Sequence, residues 1–276
     1  MDYLEIHLTE LKEGQADWLI AQLAQLGFEG FEELQDALKA YIPAGIFSEN
    51  EFENLIKQMD VKYASSIIKQ TNWNQNWESN FEPIQVDIHE KPFAYLRAIF
   101  HKPHPTARYD LLITPKMSFG TGHHATTYQM IEQMSAIDFS EKRVIDFGTG
   151  TGVLSILAEK MGASSVLAID NDDWSIENTR ENIAANHCQK IEVLKAETCV
   201  HQDLPADVVL ANINLNIIIQ NLPAIQAACK KGGTVLFSGF LTQDEPVILA
   251  AIQAQGFTVK NCLSRNNWLI ISCLAS

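Results

Sequence analysis

The segment Val144-Ile-Asp146-Phe-Gly148-Thr-Gly150-Thr-Gly152-Val-Leu-Ser-Ile-Leu constrains this chain more than any other: an apolar run empties through alternating glycines into an apolar helical repeat. Strand, glycine turn and helix in that order make half of a βαβ unit. Glycines let the backbone turn tightly and come close to a ligand at the carboxyl end of a strand. From about residue 123 helices and strands alternate, the pattern of a mostly parallel sheet covered on both faces. Strands are expected at Arg143–Phe147, Ser165–Ile169, Lys190–Leu194, Asp207–Ala211, Thr234–Ser238, Phe257–Leu263 and Trp268–Cys273. The last two have no helix between them, which suits an antiparallel hairpin at one sheet edge. The fold class that follows is α/β: a seven-stranded, doubly wound, Rossmann-like domain.

A smaller α+β domain precedes it. Tyr3–Thr9 alternates like a strand, and Gly14–Leu26 repeats Trp18, Leu19, Leu23 and Leu26 at helical spacing. Phe28–Leu34 and Ala37–Pro43 read as strands. Ser48, three residues before Glu51, is a candidate N-cap for a helix carrying Phe52, Leu55, Ile56 and Met59, and Val61–Ile68 closes the pattern. The order is βαββαβ, the split unit of ferredoxin-like domains, a fold that implies no activity by itself. Thr71–Pro83, polar but carrying Trp73, Trp77 and Phe81, reads as a linker with anchors, and β-like runs follow at Ile84–Ile88, Phe93–Phe100 and Tyr109–Thr114. The expected boundaries are 1–70 for the small domain, 71–109 for linker and connecting strands, and 110–276 for the large domain.

Charge is concentrated at the start of the chain. Residues 1–60 hold thirteen Asp and Glu against three Lys, a net of −10 out of −14 for all 276 residues. Such a field repels phosphate backbones and attracts cationic partners, so a basic protein is favoured over a nucleic acid; a merely solubilising surface is the plainer alternative. No basic stretch precedes an apolar one at the N-terminus and no apolar run is long enough to cross a bilayer, so a cytoplasmic location is expected. The five cysteines include no C-x-x-C and read as reduced, buried thiols.

Within the glycine loop the spacing is G-x-G-x-G, and Val153 stands where the dinucleotide fingerprint requires its third glycine. Asp146 places a carboxylate beside the loop, which suits an ammonium-bearing, nucleotide-like ligand better than a pyrophosphate. The next strand ends at Asp170, placed to accept hydrogen bonds from both hydroxyls of an adenosine ribose. Asp172 and Asp173 read as helix N-terminal charges followed by Trp174, and Glu197 is within reach of an adenine. Upstream, Met117-Ser-Phe119-Gly120-Thr121-Gly122-His123-His124-Ala125-Thr126-Thr127 forms a turn into a helix, suited either to a carboxylate or to plain helix capping. The adjacent histidines do not suggest a metal, since consecutive residues seldom chelate one ion and no cysteine or carboxylate has ligand spacing to them. Asp207-Val-Val-Leu-Ala-Asn212-Ile213-Asn214-Leu215 empties the fourth strand toward the same end. An Asn212 carbonyl there can orient a substrate amine, and the prolines and aromatic that would stack on a flipped base are absent.

Taken together these segments resemble the PrmA family, bacterial methyltransferases of large-subunit ribosomal protein eleven. The resemblance runs over nearly the whole chain and is carried most specifically by Phe119-Gly-Thr-Gly-His-His-Ala-Thr-Thr127, then by the glycine loop, Asp170 and Ala211-Asn-Ile213. It implies S-adenosyl-L-methionine as cofactor, with Thr127, Gly148, Asp170 and Asn212 at cofactor-contacting positions and Phe119, Gly120, His124 and Gly150 in the same motifs. Asp146 joins them by its place beside the loop, and Asn212 and His124 are the expected catalytic pair. The resemblance also implies N-methylation, to the trimethyl state, of lysine ε-amines and the N-terminal α-amine of that ribosomal protein; the charge of the first domain independently suits recognition of such a basic partner. Asn214 departs from the family, which has an apolar residue at this place. Two competing readings are an RNA or small-molecule methyltransferase on the same fold, which the acidic segment disfavours for RNA, and a non-catalytic binding module, which retention of glycines, acid and Asn212 together argues against.

Overall fold

The computed structural model describes residues 3–12, 15–34, 36–57, 59, 61–68, 81–114, 124–199 and 205–276. The chain divides into two compact units, Met1–Trp73 and Asn74–Ser276.

The first unit runs β1 (Tyr3–Thr9), α1 (Gln15–Gln25), β2 (Gly30–Glu33), β3 (Ala37–Pro43), α2 (Glu49–Ile56) and β4 (Lys62–Ile68). Its four strands form one antiparallel sheet in the order β2-β3-β1-β4. Period-two alternation sends Ile6 and Leu8 of β1 and Leu38, Ala40 and Ile42 of β3 to one face, where they bury against Leu19 and Leu23 of α1 and Phe52 and Ile56 of α2. Ser48 occupies the N-cap of α2, but its side chain makes no capping bond. The opposite sheet face is charged: Lys39 lies 3.9 Å from Glu5 and 3.7 Å from Glu32, and the Tyr3 hydroxyl donates to Glu29 at 2.9 Å.

The second unit opens with a three-stranded sheet, β5 (Ile84–Ile88), β6 (Lys91–Arg97) and β7 (Tyr109–Leu112). Sequence periodicity placed this stretch among connecting strands. In the structure Val86, Leu96 and Leu111 are fully buried and share one core with Met130, Val144, Leu154 and Leu210, so the stretch is part of the large unit. Its turns are tied by Arg97, whose guanidinium donates to both Asp110 oxygens (2.7–2.9 Å) and to the His101 carbonyl at 2.9 Å.

There follow α3 (Ala125–Met134), β8 (Arg143–Phe147), α4 (Val153–Lys160), β9 (Ser165–Asp170), α5 (Asp173–Ala185), β10 (Ile191–Lys195), β11 (Ala206–Asn212), α6 (Leu215–Ala228), β12 (Cys229–Leu241), α7 (Glu245–Ala254), β13 (Thr258–Arg265) and β14 (Trp268–Leu274). The seven-stranded sheet has the order β10-β9-β8-β11-β12-β14-β13, parallel except for β14, which is antiparallel to both of its neighbours. Alternate residues feed two cores. Ile145, Ile169, Val209 and Phe237 meet α6 and α7, while Val144, Val166, Val208 and Leu236 meet α3 and α4. Burial on both faces is why these strands read as continuous apolar runs. The strand order reverses between β8 and β11, and open α/β sheets bind ligands at the carboxyl ends beside such a reversal. No helix among the described residues is long and apolar enough to cross a membrane.

Candidate cofactor and active site

The glycine loop leaves β8 at that reversal. The Gly148 and Thr149 amides donate to the Ile169 carbonyl at 2.8 and 2.9 Å, which folds the chain back over β9. Gly148 has a φ of +78°, and a Cβ there would stand 1.9 Å from Cγ2 of Ile213. Both facts demand glycine. The next amide in the turn, that of Gly150, donates to Oδ2 of Asp170 at 2.9 Å. From behind, the Thr179 hydroxyl donates to the Gly150 carbonyl and the Asn182 amide to the Thr151 carbonyl, both at 2.8 Å.

A cavity of about 540 Å³ opens beside this loop. Of the residues singled out from sequence, Gly148, Gly150, Asp170 and Asn212 line it, and so does Glu197. Phe147, Ile213, Gly239 and Trp268 complete much of the wall. Asn212 is nearly buried: its amide donates to the Thr127 hydroxyl at 3.4 Å, and its Oδ1 is buried without a hydrogen-bond partner. Thr127 is itself fully buried on α3, so helix and strand together fix the direction of the Asn212 carbonyl.

Asp146 lies elsewhere than expected. It is fully buried and does not line the cavity, because strand alternation turns it toward α4 with Val144. Its Oδ2 accepts the Thr149 hydroxyl at 2.8 Å, the Ser155 hydroxyl at 2.6 Å and the Ser155 amide at 3.1 Å, clamping the loop to the first turn of α4. Burial pushes its carboxyl up to about 6, against those hydrogen bonds, which pull it down.

His124 caps α3. Its Nδ1 accepts from the Thr126 amide and pairs with the Thr126 hydroxyl at 2.8 Å, and its ring packs edge-on against Trp268 with centroids 4.3 Å apart. Burial lowers its pKa, favouring the neutral ring. Phe119 and Gly120 lie outside the described residues. Asp172 caps α5 by accepting from the Ser175 amide at 2.9 Å, and Trp174 is largely exposed. Asn214 caps α6: its Oδ1 accepts from the Ile217 amide at 3.1 Å.

Sequence reasoning missed Gly239, Trp268, Thr179 and Asn182. Gly239 had a legible signal, an isolated glycine inside a strand, which marks a bulge or a close backbone approach; the register of β12 against β14 does shift between Ser238 and Phe240. Asn178, Asn182 and Asn186 recur every fourth residue, a polar stripe on a helix face that the fold buries.

Residues 20–275 match the family model described as ribosomal protein L11 methyltransferase (PrmA). This chain belongs to that family. The ribosomal protein L11 methyltransferase of Porphyromonas gingivalis is 42% identical over 91% of this chain and 88% of its own length. That of Phocaeicola vulgatus is 35% identical over 98% of both. The crystal structure of a ribosomal protein L11 methylase from Lactobacillus delbrueckii subsp. bulgaricus superposes with a TM-score of 0.64 at 26% identity, covering 71% of this chain and all of that one. The PrmA fold is that of S-adenosylmethionine-dependent methyltransferases, and the site suits that cofactor by its chemistry. Asp170 offers acceptors for ribose hydroxyls, the glycine loop offers close backbone, and the Asn212 Oδ1 is a buried acceptor awaiting a donor.

Proposed function

We propose that this protein transfers methyl groups from S-adenosylmethionine to lysine ε-amines and the N-terminal α-amine of ribosomal protein L11, to the trimethyl state. The observation that carries the reading is the buried, unpartnered Asn212 Oδ1 at a cavity that also holds Asp170 and the glycine loop. When bound, the cofactor supplies a sulfonium methyl open to in-line displacement. Asp170 holds the ribose, and Gly148 and Gly150 let the chain lie close to it. In the first two transfers the Asn212 Oδ1 accepts an N–H from the incoming amine and so aims its lone pair; the dimethylated amine of the third transfer has no N–H left to donate and is aimed by the fit of the cavity alone. A lysine of pKa about 10.4 must lose its proton first, at a cost of roughly 4.6 kcal/mol at pH 7, and desolvation in the cavity lowers that cost. Positioning and water exclusion supply most of the remainder. His124 acts here by placing Trp268 and the start of α3, its Nδ1 being committed to Thr126.

The first unit, ferredoxin-like in its element order and strand arrangement, is the recognition domain for this basic substrate, and residues 110–276 carry the chemistry. Its excess of carboxylates supports that role, since ribosomal proteins are basic and complementary charge provides steering and register. The test is intact-mass and peptide mass spectrometry of purified L11 after incubation with enzyme and isotope-labelled S-adenosylmethionine. Labelled methyl groups on its amines are expected. Label appearing in ribosomal RNA and none in L11 would overturn the substrate assignment.

A further inference from the structure

Two side chains of the cavity wall are held by the first turn of α3. The Asn212 amide donates to the Thr127 hydroxyl at 3.4 Å, and the Trp268 indole packs against the His124 ring with centroids 4.3 Å apart. His124 is the N-cap of that helix and Thr127 its third residue, positions close enough for a capping side chain to bridge them. Asn212 ends β11 and Trp268 begins β14. Only β12 lies between these strands, and Gly239, at its register shift, contributes no side chain. An acceptor carbonyl and an indole therefore line one end of the cavity. Asp170 and Glu197, the carboxylates among the described lining residues, come from the ends of β9 and β10, on the far side of β8.

The third methyl transfer places a demand on the β11–β14 end. A dimethylated nitrogen has no N–H for the Asn212 Oδ1, so another wall group must hold it. It reacts as a neutral tertiary amine, its proton already lost to solvent. Its lone pair forms the new N–C bond, the C–S bond breaks with its electrons on sulfur, and the positive charge passes to nitrogen. No described carboxylate lines this end to meet that charge. The face of an indole attracts such a cation and contacts its methyl groups at once. Because the attraction grows as charge reaches nitrogen, it lowers the barrier beyond merely binding the amine.

We propose that Trp268 determines how far methylation proceeds: its indole holds the methylated nitrogen once Asn212 can no longer do so. The proposal deepens the methyltransferase reading and rests on it for the reaction. Asn212 serves the first two transfers and Trp268 carries the third.

The test uses the full-length protein in two arms. In the first, unmethylated L11 is followed by peptide mass spectrometry during reaction with S-adenosylmethionine. Trp268→Leu, which keeps an apolar side chain without the π face, should accumulate dimethylated amines, its third transfer slowed about tenfold more than its first. Trp268→Phe should restore most of the trimethylated product. Equal slowing of all three transfers in Trp268→Leu, or trimethyl product in wild-type proportion, would overturn the proposal. The second arm needs no acceptor protein. The S-adenosylhomocysteine complex of wild type is titrated with tetramethylammonium chloride at constant ionic strength, and binding is read from the indole N–H resonance that Trp268→Phe lacks. Saturable binding is expected, while ammonium chloride and tert-butanol, the latter similar in shape but uncharged, should shift that resonance little. No saturation by tetramethylammonium, or equal saturation by tert-butanol, would overturn the aromatic role even if Trp268→Leu failed to fold. Wild type that binds tetramethylammonium yet leaves L11 amines unmodified would overturn the L11 reading and leave the aromatic site standing.

Discussion

Gly239 on β12 lies so close to Ile213 that a Cβ at position 239 would stand 2.2 Å from the Ile213 carbonyl oxygen and 2.6 Å from its carbonyl carbon. Gly148 approaches the same residue from the other side, so Ile213, the residue after Asn212, sits between two glycines. Gly239→Ala should therefore combine backbone overpacking with strain at a φ of +101°, at about 2–4 kcal/mol of stability, and should displace Asn212 enough to abolish transfer. Gly232→Ala is the comparison: its φ is +76° but nothing lies within 4 Å of the added carbon, so about 1 kcal/mol and normal activity are expected. Urea denaturation and methyl-transfer rates check both. A Gly239→Ala enzyme as active as wild type would show that the close approach does not set the position of Asn212.

What sequence alone made legible follows the same division. Strands such as Tyr3–Thr9, Ala37–Pro43 and Arg143–Phe147 were found to the residue, because alternation or full burial leaves a periodic trace. Gly148, Asp170 and Asn212 line one cavity, and each stands at or just past the carboxyl end of a strand, a chain position that can be read from sequence. Asp146 was assigned to the ligand because sequence gives adjacency to the loop but not which sheet face the side chain takes. Trp268 and Asn182 were missed for a related reason: they come from a hairpin and a helix far along the chain, and only tertiary packing brings them to the loop.

Asp170 faces the cavity and also fixes the loop through Gly150 and the Asp172 amide, the latter at 3.1 Å. Asp170→Ala should weaken S-adenosylhomocysteine binding by about 1.5–3 kcal/mol, the range for a hydrogen bond to a charged group. Titration calorimetry reads this directly. Unchanged affinity would remove Asp170 from the ribose site.

Asp146 gives a pH signature. Its folded pKa of about 6 lies above the ordinary 3.8, so ionising it costs more in the folded than in the unfolded chain. Its contribution to stability is fully present below about pH 4, declines as pH rises toward 6, and is constant above that. In Asp146→Asn the carbonyl keeps the acceptor role toward Thr149 and Ser155, and the ionisation disappears. The stability of the variant relative to wild type should therefore improve from pH 4 to pH 6 by the order of 1–3 kcal/mol, with cofactor affinity nearly unchanged. Chemical denaturation across pH, with calorimetry at pH 7, measures the two parts. A flat difference curve would mean that Asp146 titrates normally, and lost cofactor affinity would return it to direct ligand contact.

The last prediction concerns the division of labour between the units. Residues 1–60 carry −10 of the net charge, and the described residues that line the cavity belong to the second unit. The second unit has its own cores on both faces of its sheet, so it should fold when residues 1–73 are deleted. The truncated protein should bind S-adenosylhomocysteine with nearly full affinity yet methylate intact L11 at least about tenfold more slowly, since the attraction that raises local substrate concentration is gone. Salt should reproduce part of this in the full-length enzyme, because exposed charges are screened over about 8 Å at physiological ionic strength. KM for L11 should rise with salt while cofactor affinity, set by a pocket of close contacts, changes far less. In the truncated enzyme the salt dependence of KM should flatten, because the charges being screened have been removed. Binding and transfer assays on both proteins across one salt series separate these effects. A truncated enzyme that modifies intact L11 as fast as the full-length protein, with the same salt dependence, would place recognition in the second unit instead.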